Sequence, residues 1–288
     1  MDAALATAVS NAATSELRGD YTGVGADFVV DQRWDEYTAE EHALWRRLYE
    51  RQMKLVPGYA CDSYLAGLAR LDAGDAIPRF DTASETLRRA TNWEIVGVPG
   101  LIPDLVFFEH LAHRRFPVTT WLRTPAEFDY IVEPDVFHDF FGHVPLLLDP
   151  MYADYMEAYG KGGLKAARLD SLQYLARLYW YTVEFGLIAT SAGLRIYGAG
   201  ILSSGGEVVH SIASPRARRV AFDLERLLRT EYHIDRYQDT YFVIESFPRL
   251  IADTAPDFAP LYRSIKDLRS FAPDETAAGD RVLPAAGE

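Results

Sequence analysis

EPDVFHDFFGHVP, residues 133–145, sets two histidines five positions apart around a glycine and brackets them with two prolines. Pro134 suits the first turn of a helix, where a missing N–H costs nothing, and Glu133 and Asp135 favour the same end electrostatically. Gly142 is expected to end that helix in a left-handed conformation, and Pro145 to keep it from resuming. Five residues of an ideal α-helix turn through about 500°, so His138 and His143 would diverge by roughly 140° unless the helix ends or distorts near Gly142. A pair of histidines is also short of a metal site. A carboxylate or a third histidine has to join them.

The candidate lies in LARLYWYTVEFGLIA, residues 175–189. At helical spacing Ala176, Trp180, Glu184 and Leu187 share one face, with Leu172, Tyr179 and Val183 on the adjoining one. Glu184 therefore interrupts an apolar stripe. A buried carboxylate must be paired, protonated or bound to a cation. A salt bridge to Arg177 or Arg123 is one solution. The other is a metal, since two histidines and one carboxylate make the facial triad of non-heme iron(II) enzymes, which leaves coordination positions open.

The rest of the chain sets bounds. Its 288 residues are long enough for a substantial core, with 49% hydrophobic and 25% charged residues. A net charge of −13 argues against nucleic acid as a partner. The single cysteine, Cys61, allows no internal disulfide and fits a reducing compartment, so the cytoplasm is expected. No apolar run has the roughly 18 residues of a membrane span, and the N-terminus lacks the features of a secretory signal. Residues 1–20 and 271–288 read as loose tails around one domain at 21–270.

Thr38-Ala-Glu-Glu41 forms a capping-box pattern that opens a helix with Leu44, Trp45, Leu48 and Tyr49 on one face. Further helices are expected at 59–71, 82–91, 103–113, 151–158, 168–190, 220–231 and 246–253. Strand-like segments are fewer: EIVGV (94–98), FPVTTW (116–121), and RIYGAGIL followed by EVVHSI around the turn at 203–206, a hairpin that Glu207 would anchor. The fold class is mainly α with a small β component. His110 and His113 share the 103–113 helix with Glu109, and the arginines that follow suggest partial exposure. No P-loop, HExxH or GxSxG motif occurs.

EPDVFHDFFGHVPLL, then LYWYTVEFGL, then YGAGILSS, resembles the pterin-dependent aromatic amino acid hydroxylases, with GLIPDLVFFEHLAHRRFPV (100–118) and TYFVIESF (240–247) as further blocks. Weaker similarity runs through most of 35–260. The chain is most similar to the bacterial members that act on phenylalanine and consist of a single catalytic domain. The resemblance implies a monomer that uses iron(II), a tetrahydropterin such as tetrahydrobiopterin, and dioxygen to convert L-phenylalanine to L-tyrosine. It puts His138, His143 and Glu184 on the iron, with Tyr179 nearby among the catalytic residues. It puts the pterin against Phe107, Gly100, Leu101 and Asp139, the last standing where animal members carry Glu. The amino acid falls to Arg123, which would pair with its carboxylate, and to Pro134, Trp180, Ser203 and Val243. Where animal members have Thr-Pro, this chain has Ile131-Val132, so the threonine's substrate contact is not carried over. The same chemistry on tryptophan or tyrosine, 3-hydroxylation of phenylalanine, a zinc hydrolase and a non-catalytic binder are the alternatives.

Overall fold

The structure is a computed structural model and describes residues 17–284. Most of the expected N-terminal tail, residues 1–16, lies outside the described residues. The described residues gather into two compact units: one comprises residues 17–51 together with Ala66–Leu164, the other Gln52–Leu65 together with residues 165–284.

In the first unit the capping box forms as expected. The Glu41 amide donates to Thr38 Oγ1 at 3.2 Å, and the Thr38 amide donates to Glu41 Oε2 at 2.8 Å. Two of the N–H groups that a helix start leaves orphaned are thereby satisfied. The helix Ala39–Met53 follows and buries Leu44, Trp45 and Leu48. The Trp45 indole N–H finds the Ala73 carbonyl at 2.7 Å, which lets a tryptophan sit fully inside. Two strands, β1 (Glu94–Val98) and β2 (Arg115–Thr119), pair in parallel with Ile95 opposite Phe116. Parallel strands need a crossover, and the helix Asp104–Ala112 supplies it. Pro117 is tolerated because each strand of a two-stranded sheet is an edge.

The second unit holds a five-stranded sheet in the order β4-β3-β6-β5-β7, formed by Gly193–Ile196, Leu187–Thr190, Thr240–Ile244, Arg218–Ala221 and Val282–Leu283. All five residues of β6 are buried, as a central strand covered on both faces requires. Three expectations are corrected here. The segment read as a hairpin around 203–206 is two short helices, Ala199–Ser203 and Glu207–Ala213; only its first residues extend β4. The long helix expected over 168–190 ends at Glu184, and its last residues become β3. Residues 271–283 are not loose: Asp280 makes a buried ion pair with Arg226 at 2.9 Å, and Val282 pairs with Val220 of β5. Loss of periodicity there marks irregular packing, and the segment stays attached. No helix among the described residues is long and apolar enough to cross a membrane.

Candidate metal centre

Pro134 and Asp135 precede the helix rather than forming its first turn, and the helix does not stop at Gly142. Phe137–His143 winds as a π-helix and runs on into a 3-10 turn, Val144–Leu148, with Pro145 in its first turn. Gly142 keeps a negative φ and terminates nothing. The difference decides the geometry. Hydrogen bonds at i→i+5 bring residues five apart nearly back onto one face, where an α-helix would separate them. His138 and His143 accordingly point the same way, with Nε2 atoms 3.3 Å apart and rings at 78°. The rigid floor beneath them is aromatic: Phe137 stacks on Phe141 at 4.9 Å, and Phe116 of β2 lies 5.1 Å from the His143 ring.

Asp135, fully buried, ties this turn to its surroundings. Its Oδ1 accepts from the His138 amide at 3.0 Å and from Arg123 Nη2 at 2.9 Å; its Oδ2 accepts from Arg123 Nε at 2.8 Å and from the Arg123 amide at 2.9 Å. The planar guanidinium matches the carboxylate in the two-pronged geometry that suits arginine. Sequence reasoning used Asp135 only as a helix-start charge and missed this role. A short acid three residues before a candidate ligand was the available signal. Asp139 accepts from the Thr119 amide of β2 at 2.8 Å. Burial raises its carboxyl above the usual range, opposed by the neighbouring imidazoles and that amide.

Glu184 ends a second π segment, Trp180–Glu184, continuous with the helix Leu172–Tyr179. The Phe185 amide donates to the Trp180 carbonyl at 2.8 Å, an i→i+5 bond that closes it. Glycines make room around the carboxylate. A Cβ on Gly198 would lie 2.5 Å from the Glu184 carbonyl oxygen, and one on Gly200 would lie 3.1 Å from Glu184 Oε2. This explains the GAG of YGAGILSS, which the sequence alone left as a motif without a reason. Gly198→Ala is expected to destabilise the protein by about 1–3 kcal/mol, the usual cost of overpacking, and to shift the Glu184 backbone. Urea unfolding beside iron titration checks both. The arginines weighed as partners of Glu184 spend donors elsewhere: Arg123 on Asp135, and Arg177 on the Leu228 carbonyl at 3.0 Å and Ser270 Oγ at 3.1 Å. Among the described residues, His138, His143 and Glu184 form the group suited to a cation: each offers one ligand atom, and these atoms lie within 4.8 Å of one another.

The residues expected around this group are placed as follows. Gly100 has φ +151°, and a Cβ there would meet Glu133 Oε1 and Tyr21 Oη at 2.9 Å, so the 99–101 loop needs glycine. Tyr21 donates to the Leu101 carbonyl at 2.9 Å. Phe107 stands on the crossover helix with its ring 5.9 Å from Phe108, edge to face. In the second unit, buried Ser203 donates to the Ala199 carbonyl at 2.9 Å, and Val243 is buried in β6. Trp180 stacks on Tyr232 with centroids 4.3 Å apart. Tyr179 is the last residue of the helix before the π segment.

Two side chains differ from expectation. His110 is buried, not partly exposed; its Nε2 donates to the Asp27 carbonyl at 2.8 Å, and burial lowers its pKa. Glu207 anchors no hairpin. From its helix it accepts from Tyr241 Oη at 2.7 Å and from the Gln238 amide at 3.1 Å, and burial pushes its pKa up to about 7. A carboxyl whose folded value lies above its unfolded one stabilises the fold fully below the unfolded value and loses that contribution as pH rises through the folded value. Here the window runs from about 4.5 to about 7, a loss on the order of 3 kcal/mol. Glu207→Gln should flatten the dependence, seen as a urea midpoint that falls less than the wild type's across that window.

Residues 29–260 match the family of biopterin-dependent aromatic amino acid hydroxylases. The chain belongs to that family. Among the hydroxylases, it is 58% identical over 260 residues to the phenylalanine-4-hydroxylase of Ralstonia nicotianae, a match covering 90% of this chain and 83% of the relative. Its fold matches that of the Chromobacterium violaceum phenylalanine hydroxylase solved with iron and phenylalanine bound: TM-score 0.86 and 56% identity, over 96% of this chain and 99% of the other. A second structure of that hydroxylase, holding iron(III) and 7,8-dihydrobiopterin, matches with TM-score 0.86 and 55% identity over 96% of this chain and 98% of the other.

Proposed function

We propose that this chain is a phenylalanine 4-monooxygenase, which uses iron(II), a tetrahydropterin and dioxygen to convert L-phenylalanine to L-tyrosine. The observation that carries the reading is the His138–His143 pair, with Nε2 atoms 3.3 Å apart on one π turn. The donors fit the metal. Two imidazole nitrogens bound at about 2.1 Å and at right angles stand about 3.0 Å apart, close to that separation. Two neutral imidazoles and the Glu184 carboxylate around iron(II) leave a net charge of about +1, which an apolar wall tolerates better than a bare carboxylate. When bound, the iron and the pterin supply the dioxygen activation that no side chain provides.

The chain's own work is positioning. Asp135 engages the Nε–Nη2 edge of Arg123, which leaves Nη1 to receive the carboxylate of the amino acid. Pro134, Trp180, Ser203 and Val243 would bound its side chain, and Tyr179 would stand near the metal. Phe107 would offer its ring to the pterin, the Gly100–Leu101 backbone its polar groups, and Asp139 a carboxylate. These mostly apolar residues would also exclude water from the reacting ring.

The test is to load purified protein anaerobically with iron(II), add phenylalanine and a tetrahydropterin, and admit isotopically heavy dioxygen. Heavy label in para-tyrosine that requires both iron and pterin supports the reading. Label in meta-tyrosine, or turnover only with tryptophan or tyrosine, replaces the substrate or ring position and keeps the family's chemistry. Activity without oxygen and pterin would overturn the reading.

A further inference from the structure

Beyond the residues carried over from the family, the second unit contains a hydrogen-bond relay that starts at a buried carboxylate and ends at Trp180. Glu207 receives the Tyr241 hydroxyl and the backbone N–H of Gln238. Gln238 is itself buried, and its side chain is used at both ends. Nε2 donates to the His233 carbonyl at 2.8 Å, and Oε1 accepts from the Trp180 indole N–H at 3.0 Å. The orientation of this amide is fixed by chemistry: a carbonyl only accepts and an indole N–H only donates, so the flipped amide would lose both bonds. The indole is also held by its face, through the stack on Tyr232.

Trp180 is where the regular helix gives way to the π segment, and Glu184 is where that segment ends. A π turn is the less favourable winding, and it persists where its surroundings over-determine it. A ring fixed at its edge and on its face is such a constraint.

We propose that Gln238 is a positioning residue for the reaction: it holds the Trp180 indole, and through it the turn that presents Glu184. The inference rests on the reading that Glu184 is an iron ligand and Trp180 borders the amino acid. On that reading Gln238 touches neither the iron nor the amino acid and acts through Trp180, and Glu207 and His233 act one step further back by fixing the amide.

Two variants test this. Gln238→Leu keeps roughly the volume and removes the acceptor; Gln238→Glu keeps an oxygen for the indole and, protonated as burial against the His233 and Arg236 carbonyls favours, a donor for the first of them. The first readout needs no iron: the indole 15N–1H resonance of Trp180 in metal-free protein, identified by its loss in Trp180→Phe. In Gln238→Leu that resonance should shift and its exchange with solvent should quicken by about 3- to 10-fold, the worth of one hydrogen bond. In Gln238→Glu it should stay near the wild-type position. The second readout is coupling, the tyrosine formed per tetrahydropterin oxidised, which should fall severalfold in Gln238→Leu and recover in Gln238→Glu. A lower melting temperature with indole resonance and coupling both unchanged would make Gln238 merely structural and overturn the proposal. So would equal loss of coupling in both variants with the resonance unmoved. If the wild-type protein oxidised pterin without hydroxylating phenylalanine, the substrate reading would fall, while the indole readout would still decide whether Gln238 sets the turn.

Discussion

Alanine at His138, His143 or Glu184 removes iron and tyrosine formation together while the protein stays folded. Each replacement deletes one of three donors, and two donors do not hold iron(II) against water. The loss of activity should therefore exceed the roughly 10- to 100-fold that removing a residue behind a metal ligand costs. Stability should change little, because each substitution also removes a polar group from a poorly hydrated site. Metal analysis after dialysis, tyrosine formation and a melting curve for each variant make the comparison. Near-normal tyrosine formation in any one of them would remove that residue from the metal. Iron retained at one per chain with activity gone would instead make that residue a participant in the chemistry.

Asp135→Ala is expected to be nearly as damaging by a different route. The Arg123 side chain is 3% exposed and its partner carboxylate 0% exposed, so the substitution leaves a guanidinium buried without its counter-charge. Breaking a buried pair in this way costs about 3–5 kcal/mol, a large share of a domain's stability. The same change strips an acceptor from the His138 amide. KM for phenylalanine should rise at least about 10-fold as Arg123 loses its fixed orientation, while KM for the pterin moves less. Asp135→Asn separates charge from shape: it keeps one acceptor oxygen and should fall between wild type and Asp135→Ala. Urea unfolding and substrate titrations give both quantities. Equal KM values for phenylalanine in all three proteins would deny Arg123 its role at the substrate.

Local signals in the sequence were read well, and signals that depend on distant partners were not. The capping box at Thr38, the stripe of Leu44, Trp45 and Leu48, and strands β1 and β2 follow from neighbouring residues alone. The candidate ligands were legible because a lone carboxylate in an apolar stripe requires an explanation. The winding that unites the histidines was not: a 3.6-residue period was assumed, and a glycine before a proline looked like a helix end. The false hairpin has a similar cause. Small and β-branched residues around 203–206 imitate strands, but the real hairpin is β3 with β4 just before them, and the partners of β5 and β6 lie far along the chain, where parallel pairings such as Leu187 with Val243 leave no local trace. His110 was misplaced because the arginines after it are read before the Asp27 carbonyl that holds it.

The two π segments also determine which genetic changes the protein can survive. A turn of this kind depends on how many residues it contains, so the positions in it that carry no ligand or holding contact should accept replacements by residues of similar size. Losing or gaining a single codon is another matter. One residue removed from Trp180–Glu184 would let the chain rewind as an ordinary helix, abolish the i→i+5 bond from the Phe185 amide to the Trp180 carbonyl, and shift the Glu184 carboxylate along the helix axis. Among descendants of this gene, drift in spelling should thus be confined to positions of these two stretches other than His138, Asp139, His143, Trp180 and Glu184, and drift in length should be absent.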